Sequence, residues 1–229
     1  MESIKEKFID NFITDDRWRY IWNGLGVTLK IAVFAVIFGI LIGALVAIVR
    51  SAHDKTGRFK VLNWFCKLYT TVIRGTPMVL QLLIMYFVVF ATVGVSKVFV
   101  AIVAFSLNSG AYVSEIFRSG IMSVDSGQEE AGRSLGLSYG QTMWYIIIPQ
   151  AFKNVLPALA NEFITLLKET SVSGYIALAD LTKGGDIIRS QTYDAFMPLV
   201  GVAVVYLIMV CLLSAGVTKL EGRLRSSER

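Results

Sequence analysis

Glu162 sits inside the hydrophobic stretch 145–167, where a carboxylate is costly to keep and an ionisable group marks a substrate or ion pathway by default. At helical spacing, Asn154, Ala158, Glu162 and Thr165 share one face, and Ala158 leaves room beside the carboxylate. A second polar group, Asn108-Ser109-Gly110, lies within the apolar stretch 98–118, with Tyr112 one turn on and Glu115 a further turn along. Glu162, Asn108, Tyr112 and Thr165 are therefore the candidate binding residues. Their chemistry is recognition rather than bond-making. A fixed carboxylate suits a cationic side chain or an α-ammonium group, both of which lose water on entering a membrane, and it serves an acidic ligand badly. The competing reading pairs Glu162 with a buried lysine or with backbone groups of its own subunit. Arg74 and Glu115, placed near the inner ends of their stretches, either form a gate or intersubunit pair or simply anchor helix ends. Arg118, three residues after Glu115, is an equally good helical partner.

Covalent chemistry finds no foothold. Cys66 and Cys211 each stand in apolar surroundings without metal-ligand spacing. His53, the single histidine, sits alone in a basic loop and cannot build a metal cluster. No nucleophile–base pair is evident, so an enzyme is disfavoured and neither metal nor cofactor is expected. No G-x-x-x-x-G-K-[ST] loop is present to cradle ATP. The one Gly-Gly pair, Gly184-Gly185, precedes Asp186 and is expected to be a plain loop turn. A net charge of +5 could suggest nucleic acid, but in a membrane protein it encodes orientation, and no nucleic-acid partner is expected.

The elements that must position these residues are membrane spans. Only 17% of the chain is charged, against about a quarter in soluble domains, and the mean hydropathy is +0.61. Ile31–Val49, Gly75–Ser96 and Ala195–Thr218 run for 19, 22 and 24 residues without a charge, and roughly 20 apolar residues cross the hydrocarbon core. They are apolar all round, unlike the amphipathic helices of a soluble core. Residues 1–23 mix both charge signs with Phe8, Phe12, Trp18, Tyr20 and Trp22; this reads as an amphipathic interfacial segment, or a mobile tail over its first ten residues. No signal peptide is expected, since about twenty polar residues precede the first apolar run.

Five spans are expected, at about 24–49, 61–90, 98–118, 145–167 and 195–218. Gly39 and Gly43 in the first allow close helix approach. Arg74-Gly75-Thr76-Pro77 kinks the second. The fourth, with Lys153, Glu162, Pro149 and Pro157, is weakest by hydropathy. Arg50, Lys55, Arg58 and Lys60 against one Asp54 place the first loop in the cytoplasm, as Lys219, Arg223, Arg225 and Arg229 place the C-terminus. The N-terminus is then outside, the C-terminus inside, and the number of crossings odd. A polar outer loop, 171–194, separates the last two spans.

Between the third and fourth spans, 121–148 forms a cytoplasmic loop. Residues 127–135 can make two helical turns, stopped by Gly136. Ser138 with Gln141 forms a capping box for a second helix, which runs to Ile146-Ile147-Ile148-Pro149, where the chain re-enters the bilayer. The spacing of Glu130, Ala131, Gly132, Gly136, Ile146, Ile148 and Pro149 resembles the Glu-Ala-Ala…Gly…Ile-x-Leu-Pro loop of ATP-binding-cassette importer permeases. Gly132 replaces the second alanine, which loosens the helix by up to about 1 kcal/mol, and Ile148 replaces leucine. Arg74-Gly75-Thr76-Pro77, Leu107–Tyr112 and Lys168-Glu169-Thr170-Ser171 are similar to the polar amino acid branch, which includes histidine, arginine, lysine and glutamine uptake systems. The resemblance covers nearly the whole chain. It implies an all-α integral membrane protein of the type I importer permease fold, in a bacterial cytoplasmic membrane. It also implies two ATPase subunits held by the seven loop residues, with Glu130 pairing to a basic residue there. A second permease copy, identical or paralogous, and an extracytoplasmic substrate-binding protein complete the implied assembly. Its cargo would be polar amino acids, and by the Glu162 carboxylate basic ones. A stand-alone secondary transporter is the alternative, though neither a direct nor an inverted repeat is evident.

Overall fold

The structure, a computed structural model, describes residues 3–226, with side chains to 224. Met1, Arg229 and the side chain of Arg225, all part of the expectations above, lie outside the described residues. Helices dominate: α1 (Ile4–Phe8), α2 (Trp18–Thr56), α3 (Lys60–Gly75), α4 (Met78–Ile84), α5 (Lys97–Met122), α6 (Ser126–Ser134), α7 (Tyr139–Thr142), α8 (Ile148–Glu169), α9 (Leu181–Thr192) and α10 (Phe196–Ser226). Among the described residues there is no strand.

Among the described residues, three helices, α2, α5 and α10, are long and apolar enough by themselves to cross a membrane, and α3 with Met78–Val89 makes a fourth candidate if a broken pair is one span. α2 has 39 residues, about 58 Å at 1.5 Å per residue, so it outruns a bilayer core of about 30 Å. Arg50 and Lys55, expected in a loop, are its last turns; basic side chains there suit the helix dipole. Gly57, at φ +65°, ends it. In α3 the usual burial is inverted: Asn63, Cys66 and Thr70 are buried while Val61, Leu62, Trp64 and Phe65 are exposed. A surface of that kind is stable facing lipid.

The expected kink in the second span is a break. Pro77 lacks an N–H and disfavours helix at Thr76, so α3 stops and α4 starts afresh with Pro77 as its N-cap. The Gln81 side chain donates to the Thr76 carbonyl (3.0 Å) and hydroxyl (2.8 Å) at this point. Pro149, by contrast, does not close the loop before it. Helix runs from α7 through a wide π-helical turn, Met143–Ile147, straight into α8, with the Ile148 N–H donating five residues back to Met143. The wide turn absorbs the hydrogen bond that proline cannot make.

The chain divides into two compact units. The first comprises Met1–Ile37, Thr76–Ser106 and Phe163–Ser214, with Ile31, Ala35, Leu82, Phe105 and Leu166 in its core. Its expected polar loop, 171–194, is mostly helical: a 3-10 stretch, Thr170–Ile176, then α9. Gly184 and Gly185 are not a loop turn but lie buried inside α9. A Cβ on Gly184 would stand 2.5 Å from the Tyr20 carbonyl oxygen, and one on Gly24 would stand 2.5 Å from that of Asp180. The pair is therefore a packing device, which composition alone does not distinguish from a turn. Asn11 donates to Asp194 (3.1 Å) and accepts from Thr192 (2.8 Å), tying the N-terminal segment to the end of α9.

The second unit comprises Phe38–Gly75, Leu107–Glu162 and Ala215–Arg229. Gly39 and Gly43 do bring α2 close to α5: a Cβ on each would meet Ser109 at 2.9 Å and Val113 at 2.6 Å. Gly120 similarly admits Val155 of α8. Of these helices, α5 and α8 line the cavity described next.

Candidate functional site

A cavity of about 480 Å³ in the second unit is lined from three helices: Arg74 from α3, Tyr112, Glu115, Ile116, Ser119, Gly120 and Ser123 from α5, and Asn154, Ala158 and Glu162 from α8. The α8 face read from the sequence is therefore present as far as Glu162. Ser109 donates to Glu162 at 2.9 Å and Asn154 donates to Ser123 at 2.8 Å. The four expected binding residues separate into two groups. Tyr112 and Glu162 line the cavity. Asn108 is buried and Thr165 exposed, and both lie outside the lining.

Ser119 and Ser123 were not among the expected residues. The signal was in the helical period of α5: from Tyr112 the stripe continues as Ile116, Ser119 and Ser123, toward the C-terminus. Asn108 lies on the same face, one turn toward the N-terminus from Tyr112.

The charges gather around one carboxylate. Glu115 contacts Arg50 closely, Arg74 at 3.7 Å and Arg118 at 3.9 Å. Both partners named for it from the sequence are thus within ion-pair reach. The Arg74 guanidinium stands 5.6 Å from the Tyr112 ring centroid. Arg118 also pairs with Asp54 at 2.6 Å, and this hydrogen bond holds the Asp54 carboxyl below its ordinary range.

The loop that follows α5 folds into a hairpin. Asp125 caps α6 by accepting from the Gly127 N–H at 2.7 Å. Gly136, at φ +80°, carries the reversal, with the Leu137 N–H bonded to the Gly132 carbonyl at 3.1 Å. Ser138 and Gln141 make the expected capping box for α7. Gly132 does more than loosen a helix: a Cβ there would stand 2.7 Å from Thr142 Cγ2 and 3.1 Å from Ile146, so its absence lets the hairpin arms meet. Of the expected coupling residues, Gly132 and Ile146 hold the hairpin together, Gly136 turns it, and Glu130, Ala131, Ile148 and Pro149 are exposed. Glu129 is committed within the chain. Lys55 reaches it at 2.6 Å and also lies 5.6 Å from the Tyr139 ring.

Comparisons with known proteins agree with this architecture. Residues 35–226 match the family described as the binding-protein-dependent transport system inner membrane component. The chain is 39% identical over 211 residues to the arginine transport system permease protein ArtQ of Bacillus subtilis, covering 91% of this chain and 94% of that one. It is 43% identical over 197 residues to the putative glutamine transport system permease protein GlnP of Rickettsia bellii, covering 85% and 88%. A chain from the crystal structure of an amino acid ABC transporter with histidines superposes with a TM-score of 0.83 at 40% identity, covering 90% and 94%. A chain from the MetNI methionine ABC transporter, 20% identical, shares the fold with a TM-score of 0.79 over 92% and 99%. By these matches, and by the helical architecture that accompanies them, the chain belongs to the family of inner membrane components of binding-protein-dependent transport systems.

Proposed function

We propose that this chain is the pore-forming permease subunit of an ATP-binding-cassette importer that carries polar amino acids, basic ones included, into the cytoplasm. The observation that carries the reading is the cavity bounded by α3, α5 and α8, with the Glu162 carboxylate in its wall. Relatives named for arginine and glutamine transport support an amino acid cargo, and Glu162 suits the α-ammonium group that such cargoes share. Family membership favours this reading over a stand-alone secondary transporter.

The chain crosses the membrane five times, with its N-terminus outside and C-terminus inside. Two ATPase subunits, a second permease copy and an external binding protein complete the assembly. The α6–α7 hairpin docks on an ATPase subunit through Glu130 and Ala131, which its fold leaves exposed. ATP-driven closure of the ATPases displaces the hairpin, and the spans rock around the cavity. Coupling requires the two ATPase states to bind the hairpin differently, since equal affinity shifts nothing.

The test is Glu162→Gln in the complete transporter reconstituted in liposomes. The expected result is a drop of tenfold or more in uptake and in substrate-stimulated ATPase activity, with assembly intact. Wild-type uptake of basic amino acids by this variant would remove Glu162 from the substrate path.

A further inference from the structure

Arg74 is the one cation among the described residues lining the cavity. It stands in the last turn of α3 with its side chain 44% exposed. Its approach to Glu115, 3.7 Å, is longer than a hydrogen bond, and Glu115 is held more closely by Arg50. Loss of the Arg74 contact would therefore leave that carboxylate partnered. The guanidinium carries five N–H donors in a planar fork that matches a carboxylate with two parallel bonds. The Tyr112 ring beside it steadies the cation.

A zwitterionic amino acid leaving water needs an anion for its α-ammonium and a cation for its α-carboxylate, because an unpartnered charge is expensive in a low-dielectric site. The cavity offers Glu162 from α8 and Arg74 from α3. We propose that Arg74 is the α-carboxylate subsite of this cavity. It makes the pore selective for free amino acids over the corresponding amines, independently of what the external binding protein delivers. The proposal rests on the reading that the cavity takes an amino acid.

The experiment measures binding of L-arginine and of agmatine, its decarboxylated form, by titration calorimetry. It uses the permease–ATPase complex in lipid nanodiscs without the external binding protein. The wild type is expected to bind agmatine at least tenfold more weakly than arginine. Arg74→Gln should weaken arginine tenfold or more while leaving agmatine within about twofold, so that the discrimination collapses. Arg74→Lys, which keeps the charge but not the fork, should fall between. A ratio unchanged in Arg74→Gln, or equal weakening of both ligands, overturns the subsite. Glu162→Gln separates the two claims. If it abolishes binding of both ligands while Arg74→Gln keeps the wild-type ratio, the cavity reading stands and the Arg74 subsite falls. If the wild type binds neither ligand, or Glu162→Gln binds both as the wild type does, the cavity reading falls and takes the subsite with it.

Discussion

Glu115 and Asp180 illustrate opposite ways of keeping a carboxylate out of bulk water. Glu115 is surrounded by three arginines. Asp180 is fully buried and caps α9, accepting from the Lys183 N–H at 3.0 Å and the Thr182 N–H at 3.2 Å. Those bonds favour the charged form, but burial outweighs them and pushes the group up to about 6 from 3.8. A carboxyl whose folded pKa is raised binds more protons folded than unfolded. Its contribution is complete below about pH 4 and is lost as pH rises through about 6, a change of about 3 kcal/mol by the pKa–energy relation. Asp180→Asn keeps an acceptor at the cap and does not titrate. The wild-type melting temperature, measured relative to this variant, should therefore fall between pH 4 and pH 7. A constant difference across that range would mean that Asp180 is not protonated on folding.

Among the elements, the glycines of α2 separate into those that face a neighbouring helix and those that do not. A Cβ on Gly43 would press on Val113 and lie 2.9 Å from the Ser114 backbone nitrogen, whereas one on Gly26 would meet nothing within 4 Å. Overpacking of this kind costs typically 1–3 kcal/mol, and glycine in an open helical position is itself unfavourable by about 1 kcal/mol relative to alanine. Gly43→Leu should lower the thermal stability of the detergent-solubilised protein by several degrees. Gly26→Ala should leave it equal or slightly higher. Equal effects at the two sites would show that α2 does not depend on its approach to α5.

For the whole molecule, the number of membrane crossings decides which side each loop faces. α8 carries Lys153 and Glu162 within 22 residues and is not among the helices that hydropathy alone assigns to the membrane. If it is the fourth of five spans, the hairpin and α9 face opposite sides. Leu135 is 79% and Tyr193 95% exposed, so a cysteine at either position is accessible to a labelling reagent. With Cys66 and Cys211 replaced by serine, Tyr193→Cys in intact cells should react with an impermeant maleimide. Leu135→Cys should react only after permeabilisation. Labelling of both from one side would refute the five-span arrangement.

The hairpin was readable from the chain because its determinants are local. Asp125, Gly136 and the Ser138–Gln141 pair act on backbone groups within a few residues, so spacing alone specifies them. The Gly39–Gly43 spacing, the arrest of α3 before Pro77 and the shared α8 face of Asn154, Ala158 and Glu162 were legible for the same reason, whereas the α5 residues that Gly39 and Gly43 admit were not. Other features depend on residues far apart in sequence. Nothing near Gly184 indicates that Tyr20 lies against it. Nothing near Glu115 indicates Arg50, 65 positions earlier. Nothing near Glu162 selects Ser109, one residue past the Asn108 that the sequence favoured. Asn108 shares the helical face of Tyr112, but α5 is covered at that level, with Asn108 3% and Ser109 0% exposed, so the cavity wall begins at Tyr112. Tertiary packing decided how far along that face the cavity extends, and with it which side chains line it.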